Sequence, residues 1–412
     1  MKIGIDLSVL KQRRTGIGNY AFNLARALLS LKTGHEWVAF ASRSVILNLI
    51  QDPDWIPDRV RNEKKIKIVE LPEKKIPFWD AHVRNARIMR EQKLDALHGV
   101  ANTLPLFFSP LPNPPPQGEG KAVVTIHDLA IYKHPEWFAR QTGLRRGEWL
   151  SKYVTVPRSI KKADRIIVPS EATKRDLKEL FNFADSKIAV IAHGVEARFF
   201  RQSVIPATEP ESRKDWIPGH LPDFAWTKSR RAGARDDKKG KYILFVGTIE
   251  PRKNVARLLE AYEGLPDSIK NEYELLIVGA KGWGPEPKGL KGSKGIEWVD
   301  YVSYENLPGL YQNATLFVYP SLYEGFGLPV LEAMAAGVPV ITSRGTSAEE
   351  VAGEAGILVD PYSTGEIRAA MEKVLTEKRP MGVVGEKGVK RARDFTWEET
   401  ARKTLKVYES LR

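Results

Sequence analysis

Short apolar runs alternate with amphipathic stretches along the whole chain. In the first half, the runs that predict β-strands are 3–7, 38–41, 66–70, 96–98, 123–126, 166–168 and 188–191. In the second half they are 242–246, 275–278, 296–299, 316–319, 338–341 and 357–359. Apolar residues recur at helical spacing in 19–30, 81–92, 171–180 and 397–411. Because strands that alternate with helices form βαβ units, the pattern predicts an α/β protein with two Rossmann-like domains, each built on a parallel sheet.

Two segments interrupt this alternation. Residues 109–120 are too rich in proline and glycine for a helix or a strand, and we interpret them as an exposed insert. Residues 202–240 have many charges and no apolar period, and they lie between the two series of strands. We therefore expect a first domain at 1–200, an interdomain linker at 201–240 and a second domain at 241–396. The length of 412 residues suits two domains.

Composition narrows the class of protein. The chain is 42% apolar and 28% charged, as is usual for a globular protein. It has no cysteine, which excludes disulfides, thiolate metal sites and a cysteine nucleophile, and favours a reducing compartment. The N-terminus lacks the layout of a signal peptide, and no apolar run approaches the ~20 residues that cross a bilayer. We therefore expect a cytoplasmic protein.

Positive charge is concentrated in the first half of the chain. The net charge is +13; residues 1–200 carry 33 lysines and arginines against 21 acidic residues, whereas residues 201–412 carry 31 against 30. Such a surface suits the anionic inner face of the cell membrane or an acidic acceptor, unless it is simply solvated. A nucleic-acid surface would bring basic and aromatic residues together, and here the basic residues are scattered, so we expect no nucleic-acid partner.

The most distinctive motif is Glu-Gly-Phe-Gly-Leu-Pro at 324–329, followed by Glu332. A predicted strand precedes it and a predicted helix follows, so free backbone N–H groups and the helix dipole form an anion site there. Carboxylates beside a phosphate site are explained if the ligand also carries hydroxyls, because carboxylates accept hydrogen bonds from them. A nucleoside diphosphate joined to a sugar has both kinds of group. The simpler alternative is that Glu324 only caps the helix.

A second turn carries two adjacent cations. Arg252 and Lys253 follow the 242–246 strand and precede a helix that begins near Val255. Arginine grips phosphate oxygens in pairs and lysine adds a compact charge, so the turn suits a diphosphate. Two solvated surface cations are the alternative.

Two loops of the first half carry further candidates. Gly16 and Gly18 follow the first strand and open a helix, where the backbone can approach a phosphate closely. His127 and Asp128 follow the 123–126 strand, at the edge where open α/β sheets bind ligands. The histidine is able to donate to a sugar hydroxyl, or the two residues form a structural pair. His-x-His and HExxH motifs are absent, and we expect no bound metal and no cofactor.

Together these four loops resemble the retaining glycosyltransferases of family 4, the group 1 glycosyltransferases. The resemblance covers nearly the whole chain and is most specific at 246–254 and 319–333. The start, 3–6 followed by 15–20, is similar to the mannosyltransferase-like branch of bacterial polysaccharide assembly. The resemblance implies the GT-B fold: two Rossmann-like domains with parallel sheets that face a central cleft, and a C-terminal helix, 397–412, that packs back on the first domain.

The resemblance also implies a role for each site residue. Arg252 and Lys253 would neutralise the diphosphate, and Glu324 would accept hydrogen bonds from the donor sugar. The other implied contacts with the nucleotide sugar are the backbone of Gly325, Phe326, Gly327 and Leu328, Glu332 on the ribose, Val302 at the base, Gly16 at the diphosphate and His127 at the sugar.

These roles predict a metal-independent, retaining hexosyltransferase. Negative charge grows on the leaving diphosphate as the glycosidic bond breaks, and Arg252, Lys253 and helix amides stabilise that charge. No carboxylate is obviously placed as a nucleophile, which favours attack from the face of the leaving group. The start of the chain favours GDP-mannose as the donor and a glycan or lipid-linked acceptor in cell-surface polysaccharide biosynthesis.

Several alternatives stay open on the sequence. A UDP- or ADP-sugar-dependent glucosyltransferase would have the same fold. A nucleotide-sugar epimerase or an α-glucan phosphorylase would share the two-domain scaffold, although a phosphorylase needs a pyridoxal lysine that we cannot place. A basic surface-binding protein without catalysis, or peripheral contact of the enzyme with an anionic membrane, would account for the charge of the first half.

Overall fold

The computed structural model describes residues 1–10, 16–51, 66–72, 84–105, 120–138, 151–200, 241–377 and 381–411. The predicted linker 201–240 and the predicted insert 109–120, except Gly120, lie outside these residues. Contacts divide the chain into two compact units. The first unit comprises Met1–Lys133, Gln141–Gly194 and Thr396–Arg412, and the second unit comprises His134–Arg140 and Val195–Phe395.

The described strands follow the predicted series closely. In chain order they are β1 (Lys2–Asp6), β2 (Glu36–Ser42), β3 (Ile66–Leu71), β4 (Ala96–Gly99), β5 (Lys121–Thr125), β6 (Arg165–Val168), β7 (Ile188–Val190), β8 (Lys241–Val246), β9 (Tyr273–Val278), β10 (Ile296–Val299), β11 (Leu316–Tyr319), β12 (Val340–Ser343) and β13 (Ile357–Val359).

The described helices lie between them. They are α1 (Gly16–Ser30), α2 (Arg43–Gln51), α3 (Asn85–Glu91), α4 (Ala130–Lys133), α5 (Pro135–Phe138), α6 (Val156–Lys162), α7 (Glu171–Phe181), α8 (Val255–Glu263), α9 (Asp267–Glu272), α10 (Leu307–Asn313), α11 (Leu328–Ala335), α12 (Ser347–Ala352), α13 (Thr364–Thr376), α14 (Met381–Ala392) and α15 (Trp397–Glu409). Single 3-10 turns occur at Asp185–Lys187, Ala197–Phe199, Pro251–Lys253 and Gly353–Ala355, and a π-helical turn at Ser151–Thr155.

The first unit is built on a parallel sheet in the order β3-β2-β1-β4-β5-β6-β7. Both faces of its central strands β4 and β5 are buried. Neighbouring residues of one strand point to opposite sides, so each strand contributes to two cores. Val123 packs in a core with α1 and α15, and Val124 packs in a second core with α6 and α7. The C-terminal helix α15 packs directly on α1 within this unit, and Thr396 caps its first turn by accepting a hydrogen bond from the amide of Glu399.

The second unit is built on a parallel sheet in the order β10-β9-β8-β11-β12-β13. Strands β11 and β12 are buried along their whole length, whereas the edge strand β10 is half-buried. The carboxyl ends of β8 and β11 are neighbours in this sheet, and the two most distinctive sequence motifs follow these two strands. The α/β fold with two parallel sheets is therefore confirmed.

Most strand ends differ from the predictions by one or two residues, and strand β12 is displaced by two residues at both ends. The strand predicted at 338–341 is observed at Val340–Ser343, because Pro339 has no N–H for a ladder and only its carbonyl accepts a bond, from the amide of Phe317. By contacts, residues 195–200 belong to the second unit, where Phe199 packs on the aromatic rings of Tyr304 and Tyr311. The linker and the exact domain limits stay predictions.

Candidate functional site

The cation turn of the second unit is fixed by its own backbone. Pro251–Lys253 forms a 3-10 turn directly after β8, and Asn254 then adopts a left-handed conformation with φ 58° before α8 begins. The side-chain amide of Asn254 donates to the carbonyls of Pro320 (2.9 Å) and Pro361 (2.6 Å). The amide of Leu322 also donates to the carbonyl of Arg252 at 2.7 Å. These bonds hold the cation turn against the loops that follow β11 and β13.

The side chains of Lys253 and Glu324 meet in a buried ion pair. Lys253 Nζ donates to Glu324 Oε1 at 2.6 Å and to the hydroxyl of Tyr319 at 2.5 Å. Arg252 Nη1 lies 3.9 Å from the other oxygen of Glu324. Burial alone would raise the pKa of Glu324, but the charges of Lys253 and Arg252 outweigh it and lower the pKa. Glu324 is therefore a carboxylate held by two cations.

Glu250 is a site residue that was not predicted from the sequence. Its side chain is 3% exposed, and it accepts a hydrogen bond from Nε of Arg252. Burial raises the pKa of Glu250, and the charges of Arg252 and Lys253 oppose that rise. The signal for it was an acidic residue two positions before the arginine of the motif. Arg252, Lys253, Glu250 and Glu324 thus form one ion cluster, in which Arg252 is half-buried and the other three are buried.

The glycine-rich turn leads from Glu324 into α11. Ser347 Oγ donates to the carbonyl of Glu324 at 2.7 Å, which fixes the backbone at the start of the turn. Gly327 has φ 111°, a conformation that favours glycine, and an added Cβ would lie 3.3 Å from Cα of Ala348. Phe326 is buried and packs edge-on against Phe395, with ring centroids 6.0 Å apart. This turn leads directly to Leu328, the first residue of the helix.

Glu332 lies one turn into α11 in a different environment. It is 7% exposed, and its Oε2 accepts a hydrogen bond of 2.9 Å from the hydroxyl of Tyr311. Burial raises the pKa of Glu332 to about 8. A row of aromatic rings separates this carboxyl from the ion cluster: Tyr319 stacks on Phe317 at 5.7 Å, and Phe317 lies 5.4 Å from Tyr311. Neither tyrosine was predicted as a site residue: Tyr319 ends the strand predicted at 316–319, and Tyr311 lies between the segments predicted from the sequence.

A second set of polar side chains lies near Glu332. The hydroxyl of Tyr304 donates to Glu196 Oε1 at 2.8 Å, and Arg198 Nη2 lies 3.0 and 3.1 Å from the two oxygens of Glu196. The guanidinium also lies over the ring of Tyr304, 4.3 Å from its centroid. Val302, predicted near the base, is buried in the loop between β10 and α10 that also carries Tyr304.

His127 of the first unit is buried and neutral. Its amide donates to Asn102 Oδ1 at 2.7 Å, and its Nε2 donates to the carbonyl of Val100 at 2.7 Å. Burial lowers its pKa, so the ring carries one proton, and that proton is committed to Val100. The other ring nitrogen, Nδ1, is consequently an acceptor. In the free protein the ring therefore offers Nδ1 as an acceptor, and the contact of His127 with the donor sugar stays a prediction.

A buried hydrogen-bonded chain lies beside His127. The hydroxyl of Tyr408 in α15 lies 2.6 Å from His98 Nδ1, and His98 Nε2 lies 2.7 Å from Thr125 Oγ1. Thr125 Oγ1 in turn lies 3.0 Å from the hydroxyl of Tyr20, whose ring is edge-on to His127 at 4.6 Å. Burial lowers the pKa of His98 to about 3, so this histidine is neutral and structural.

The remaining predicted residues are placed as follows. Gly16 begins α1 and is exposed, and a Cβ added to it would meet no atom within 4 Å. Arg252, Lys253 and Glu324 are in contact in the second unit, and Glu332 is held apart from them on Tyr311. Gly16 and His127 belong to the first unit.

Neither a metal centre nor a membrane span is found in the described ranges. No group of three or more His, Asp and Glu side chains there could hold a metal ion. No helix there is long and apolar enough to cross a bilayer. The chain contains one Asp-x-Asp triplet, Asp52-Pro53-Asp54, which lies outside the described residues. Metal independence therefore stays a prediction.

Comparisons with known proteins cover nearly the whole chain. Residues 14–199 match the family model described as Glycosyltransferase Family 4, and residues 227–391 match the model described as Glycosyl transferases group 1. The O-antigen chain mannosyltransferase B of Escherichia coli is 29% identical over the full length of both chains. The MMP alpha-(1->4)-mannosyltransferase of Mycolicibacterium hassiacum is 25% identical over 96% of this chain and 94% of its own length.

Solved structures share the architecture. Sucrose-phosphate synthase from Thermosynechococcus elongatus superposes with a TM-score of 0.67 at 20% identity, covering 100% of this chain and 98% of the other. HepE of Anabaena, solved in complex with UDP and glucose, has a TM-score of 0.67 at 13% identity with full coverage of both chains. At such identities these likenesses show the fold alone, which is GT-B.

Proposed function

The chain belongs to the group 1 glycosyltransferases of family 4, and on that premise we propose that it is a retaining enzyme that transfers a mannosyl unit from GDP-mannose. The acceptor in this proposal is a glycan or a lipid-linked sugar of cell-surface polysaccharide biosynthesis. The observation that carries the proposal is the cluster of Arg252, Lys253 and Glu324, in which cations and a carboxylate converge beside a glycine-rich turn.

The cation turn is proposed to bind the diphosphate of the donor. Two phosphates bring negative charge that increases as the glycosidic bond breaks, and Arg252 and Lys253 supply fixed positive charge there. In the free protein this charge is balanced by Glu250 and Glu324. The backbone of Gly325, Phe326, Gly327 and Leu328, at the start of α11, supplies further amides to the same diphosphate.

The two acidic side chains are proposed to bind hydroxyls. Glu324 is ionised, and a carboxylate accepts hydrogen bonds from the donor sugar without a change of protonation. Glu332 would accept from the ribose, and the backbone of Val302 would hold the base. We keep the proposals that the amide of Gly16 contacts the diphosphate and that His127 contacts the sugar, with Nδ1 of His127 accepting from a sugar hydroxyl.

We propose retention through attack from the face of the leaving group. The oxygen of the acceptor forms a bond to the anomeric carbon as the bond to the diphosphate breaks, and the departing phosphate takes the acceptor's proton. The carboxylate of Glu324 is committed to Lys253 in the free protein, which favours a role in binding over a role as nucleophile. Product analysis by NMR tests this step, because inversion at the anomeric carbon would exclude it.

The most specific part of the proposal is the identity of the donor, whose sugar is mannose and whose base is guanine. Two full-length relatives are named as mannosyltransferases, which supports mannose as the sugar. A thermal-shift screen with GDP-mannose, UDP-glucose and ADP-glucose tests the donor, because a ligand that binds only the folded protein at 100 times its Kd adds about 2.7 kcal/mol of stability. We expect the largest shift with GDP-mannose. A larger shift with UDP-glucose or ADP-glucose would replace mannose with glucose in the proposal.

We also propose contact of the positive first half with an anionic membrane that carries the acceptor. Flotation with phosphatidylcholine vesicles, with and without phosphatidylserine, tests this contact. Binding that rises with the anionic lipid and falls with salt is the expected result. Binding that ignores lipid charge would show that the excess of lysine and arginine in residues 1–200 has another role.

A further inference from the structure

The polar side chains around Glu332 contain two carboxyls and one cation. We call this group the Glu332 cluster; it consists of Glu196, Arg198, Tyr304, Tyr311 and Glu332. The cation, Arg198, is paired with the other carboxyl: it lies 3.0 and 3.1 Å from the two oxygens of Glu196, and it stacks on Tyr304. Within the described ranges, Glu332 receives one hydrogen bond, from the neutral hydroxyl of Tyr311. No lysine, arginine or histidine in the described chain forms an ion pair with it.

The charged groups on the neighbouring elements do not change this balance. Helix α11 packs against α10, α12, α14, β11, β12 and the Ala197–Phe199 turn. On α12, Glu349 accepts from the amide of Gly345, and on α14, Arg391 donates to the carbonyls of Glu350 and Val351. The other ionisable groups of α14 with described side chains are exposed: Glu386, Lys387 and Lys390. On β11, Tyr319 is bound by Lys253, and β12 carries no ionisable side chain.

A buried carboxylate without a cation is costly. Removing an ionised carboxylate from water is repaid only by a paired charge or several hydrogen bonds, and the usual response of an unpaired group is to keep its proton. Burial is the largest cause of the raised pKa of Glu332, and the nearby charge of Glu196 acts in the same direction. The hydrogen bond from Tyr311 and the charge of Arg198 oppose it, but they do not restore an ordinary carboxyl.

We propose that Glu332 is a carboxylic acid in the free protein, that it releases its proton when the ribose of the donor binds, and that Tyr311 is its positioning residue. The inference rests on the proposed function, in which Glu332 binds the ribose. The neutral acid has one oxygen that accepts from Tyr311 and one that carries the proton. Two neighbouring ribose hydroxyls offer two donors, and a carboxylate accepts from both while it keeps the bond from Tyr311. The proton passes to the solvent, so binding and proton release balance one for one.

The consequence is a nucleotide affinity that depends on pH. Below the pKa of the free acid, each bound donor displaces a proton, so the affinity rises by up to tenfold for each pH unit. This dependence of the affinity on pH arises in the protein, because the diphosphate of an intact sugar nucleotide does not titrate near neutral pH. The affinity should level off above about pH 8, where the free acid is already ionised.

Titration calorimetry of the full chain with GDP-mannose tests the proposal. The heat at pH 7.0, measured in buffers of different ionisation enthalpy, gives the number of protons released. We expect roughly nine-tenths of a proton from the wild type, because about that fraction of an acid with a pKa of about 8 is protonated at pH 7. Glu332→Gln has nearly the same shape and no proton to lose, so we expect release close to zero.

Tyr311→Phe separates a positioning role from a merely structural one. The hydroxyl lowers the pKa of Glu332, so its removal should raise that pKa. At pH 8.0 the wild type should release about half a proton, and Tyr311→Phe should release more than that while binding the nucleotide more weakly. A variant that binds more weakly with unchanged proton release would overturn the role of Tyr311.

The outcomes distinguish this inference from the proposed function. Tight binding of GDP-mannose without proton release overturns the inference and leaves the donor site standing. Binding of only UDP- or ADP-glucose changes the proposed donor, and the same proton count is then expected with that nucleotide, because the ribose is shared. Failure to bind any of the three overturns both.

Discussion

Two buried carboxyls of one unit, eight residues apart, are held in opposite ways. Glu324 is bound by Lys253 at 2.6 Å and approached by Arg252, and its pKa is lowered. Glu332 is equally buried, but its hydrogen bond comes from the neutral Tyr311, and its pKa is raised to about 8. Burial acts on both in the same direction. The cations therefore decide which acid is ionised, and the site combines one permanent carboxylate with one that changes its protonation.

This difference is useful for a nucleotide-sugar site. A carboxylate that is already paired with cations stays ionised when a diphosphate arrives, so it accepts from sugar hydroxyls throughout the reaction. An acid without a cation adds no negative charge to the site before the ligand binds. The free-energy cost of ionising this acid is then incurred only when ribose hydroxyls arrive to compensate the charge.

The largest expected effect is on stability as a function of pH, which should change in opposite directions in the variants Glu332→Gln and Glu324→Gln. The folded pKa of Glu332 is about 8 against an ordinary 4.5, so the folded protein holds a proton that the unfolded chain has lost between these values. Its contribution to stability therefore falls as the pH rises from 4.5 to 8, by roughly 5 kcal/mol in total. Glutamine has no proton to lose in this range, so the variant lacks this decrease. The stability of Glu332→Gln relative to the wild type should therefore increase from pH 5 to pH 9.

Glu324→Gln is the matched control with the same change. The folded pKa of Glu324 is depressed, so its stabilisation is present above the unfolded value of 4.5 and is lost as the pH falls through the folded pKa. This variant should therefore be less stable than the wild type at neutral pH, and the deficit should shrink in acid. Urea unfolding at several pH values measures both variants. If the stabilities of both variants changed with pH in the same direction, the proposed contrast between Glu324 and Glu332 would be wrong.

The cation side of the comparison is tested by Arg252→Ala. Its guanidinium bonds Glu250 and lies 3.9 Å from Glu324, at the place proposed for the diphosphate. Removing a charge that stabilises a leaving group commonly lowers kcat by about 10²–10³-fold, and we expect that loss with GDP-mannose. The fold should persist, because Lys253 still pairs with Glu324, but with some loss of stability, since the buried carboxyl of Glu250 loses its hydrogen bond from Arg252.

Arg402→Ala provides the control for this loss. Arg402 lies on α15, is 56% exposed and pairs with Glu398, so its removal should change neither turnover nor the melting temperature appreciably. Near-normal turnover of Arg252→Ala, with Arg402→Ala unchanged, would show that the diphosphate is held elsewhere.

A smaller effect is expected from Glu250→Gln. Glutamine keeps an oxygen that accepts from Nε of Arg252 but removes the negative charge. The guanidinium loses part of its fixed orientation, and we expect a roughly tenfold decrease in kcat, equivalent to about 1.4 kcal/mol. The affinity for a nucleoside diphosphate should stay the same or increase, because a competing anion is gone.

Steady-state kinetics and direct binding of GDP separate these two effects. A parallel loss of kcat and of GDP affinity would mean that Glu250 supports the turn as a whole rather than orienting Arg252. Glu250→Asp, which keeps the charge on a shorter side chain, should lower kcat without increasing the affinity for GDP.

The fold was largely predictable from the sequence, because strand and helix patterns are local. Buried parallel strands such as β11 read as continuous apolar runs, and each is followed by a turn with its own signal. The shift of β12 shows the limit of the pattern: Val338 is apolar and buried, but Pro339 cannot donate to a ladder. Hydrogen bonding between strands, rather than hydropathy, therefore sets the start of β12.

The candidate site was predictable only where its chemistry is contiguous. The motif at 324–329 and the cation pair were found because charges and glycines stand together in the sequence. Tyr311 and Glu196 were missed because their contacts with the rest of the site span 21 and 108 residues, to Glu332 and Tyr304 respectively. Protonation states depend on such distant partners, so the contrast between the two acids is visible only in the folded chain.

The smallest effect is expected from Tyr319→Phe, measured beside Tyr311→Phe. Each tyrosine hydroxyl bonds one member of the site: Tyr319 accepts from Lys253, and Tyr311 donates to Glu332. Lys253 keeps Glu324 at 2.6 Å when the hydroxyl of Tyr319 is lost, so we expect a cost of about 1 kcal/mol in stability and little change in kcat/KM. Glu332 has no such second partner among the residues described, and Tyr311→Phe should therefore weaken nucleotide binding more. The reverse order of the two variants would mean that the ion pair depends on the Tyr319 hydroxyl, and that cations alone do not explain why Glu324 is ionised.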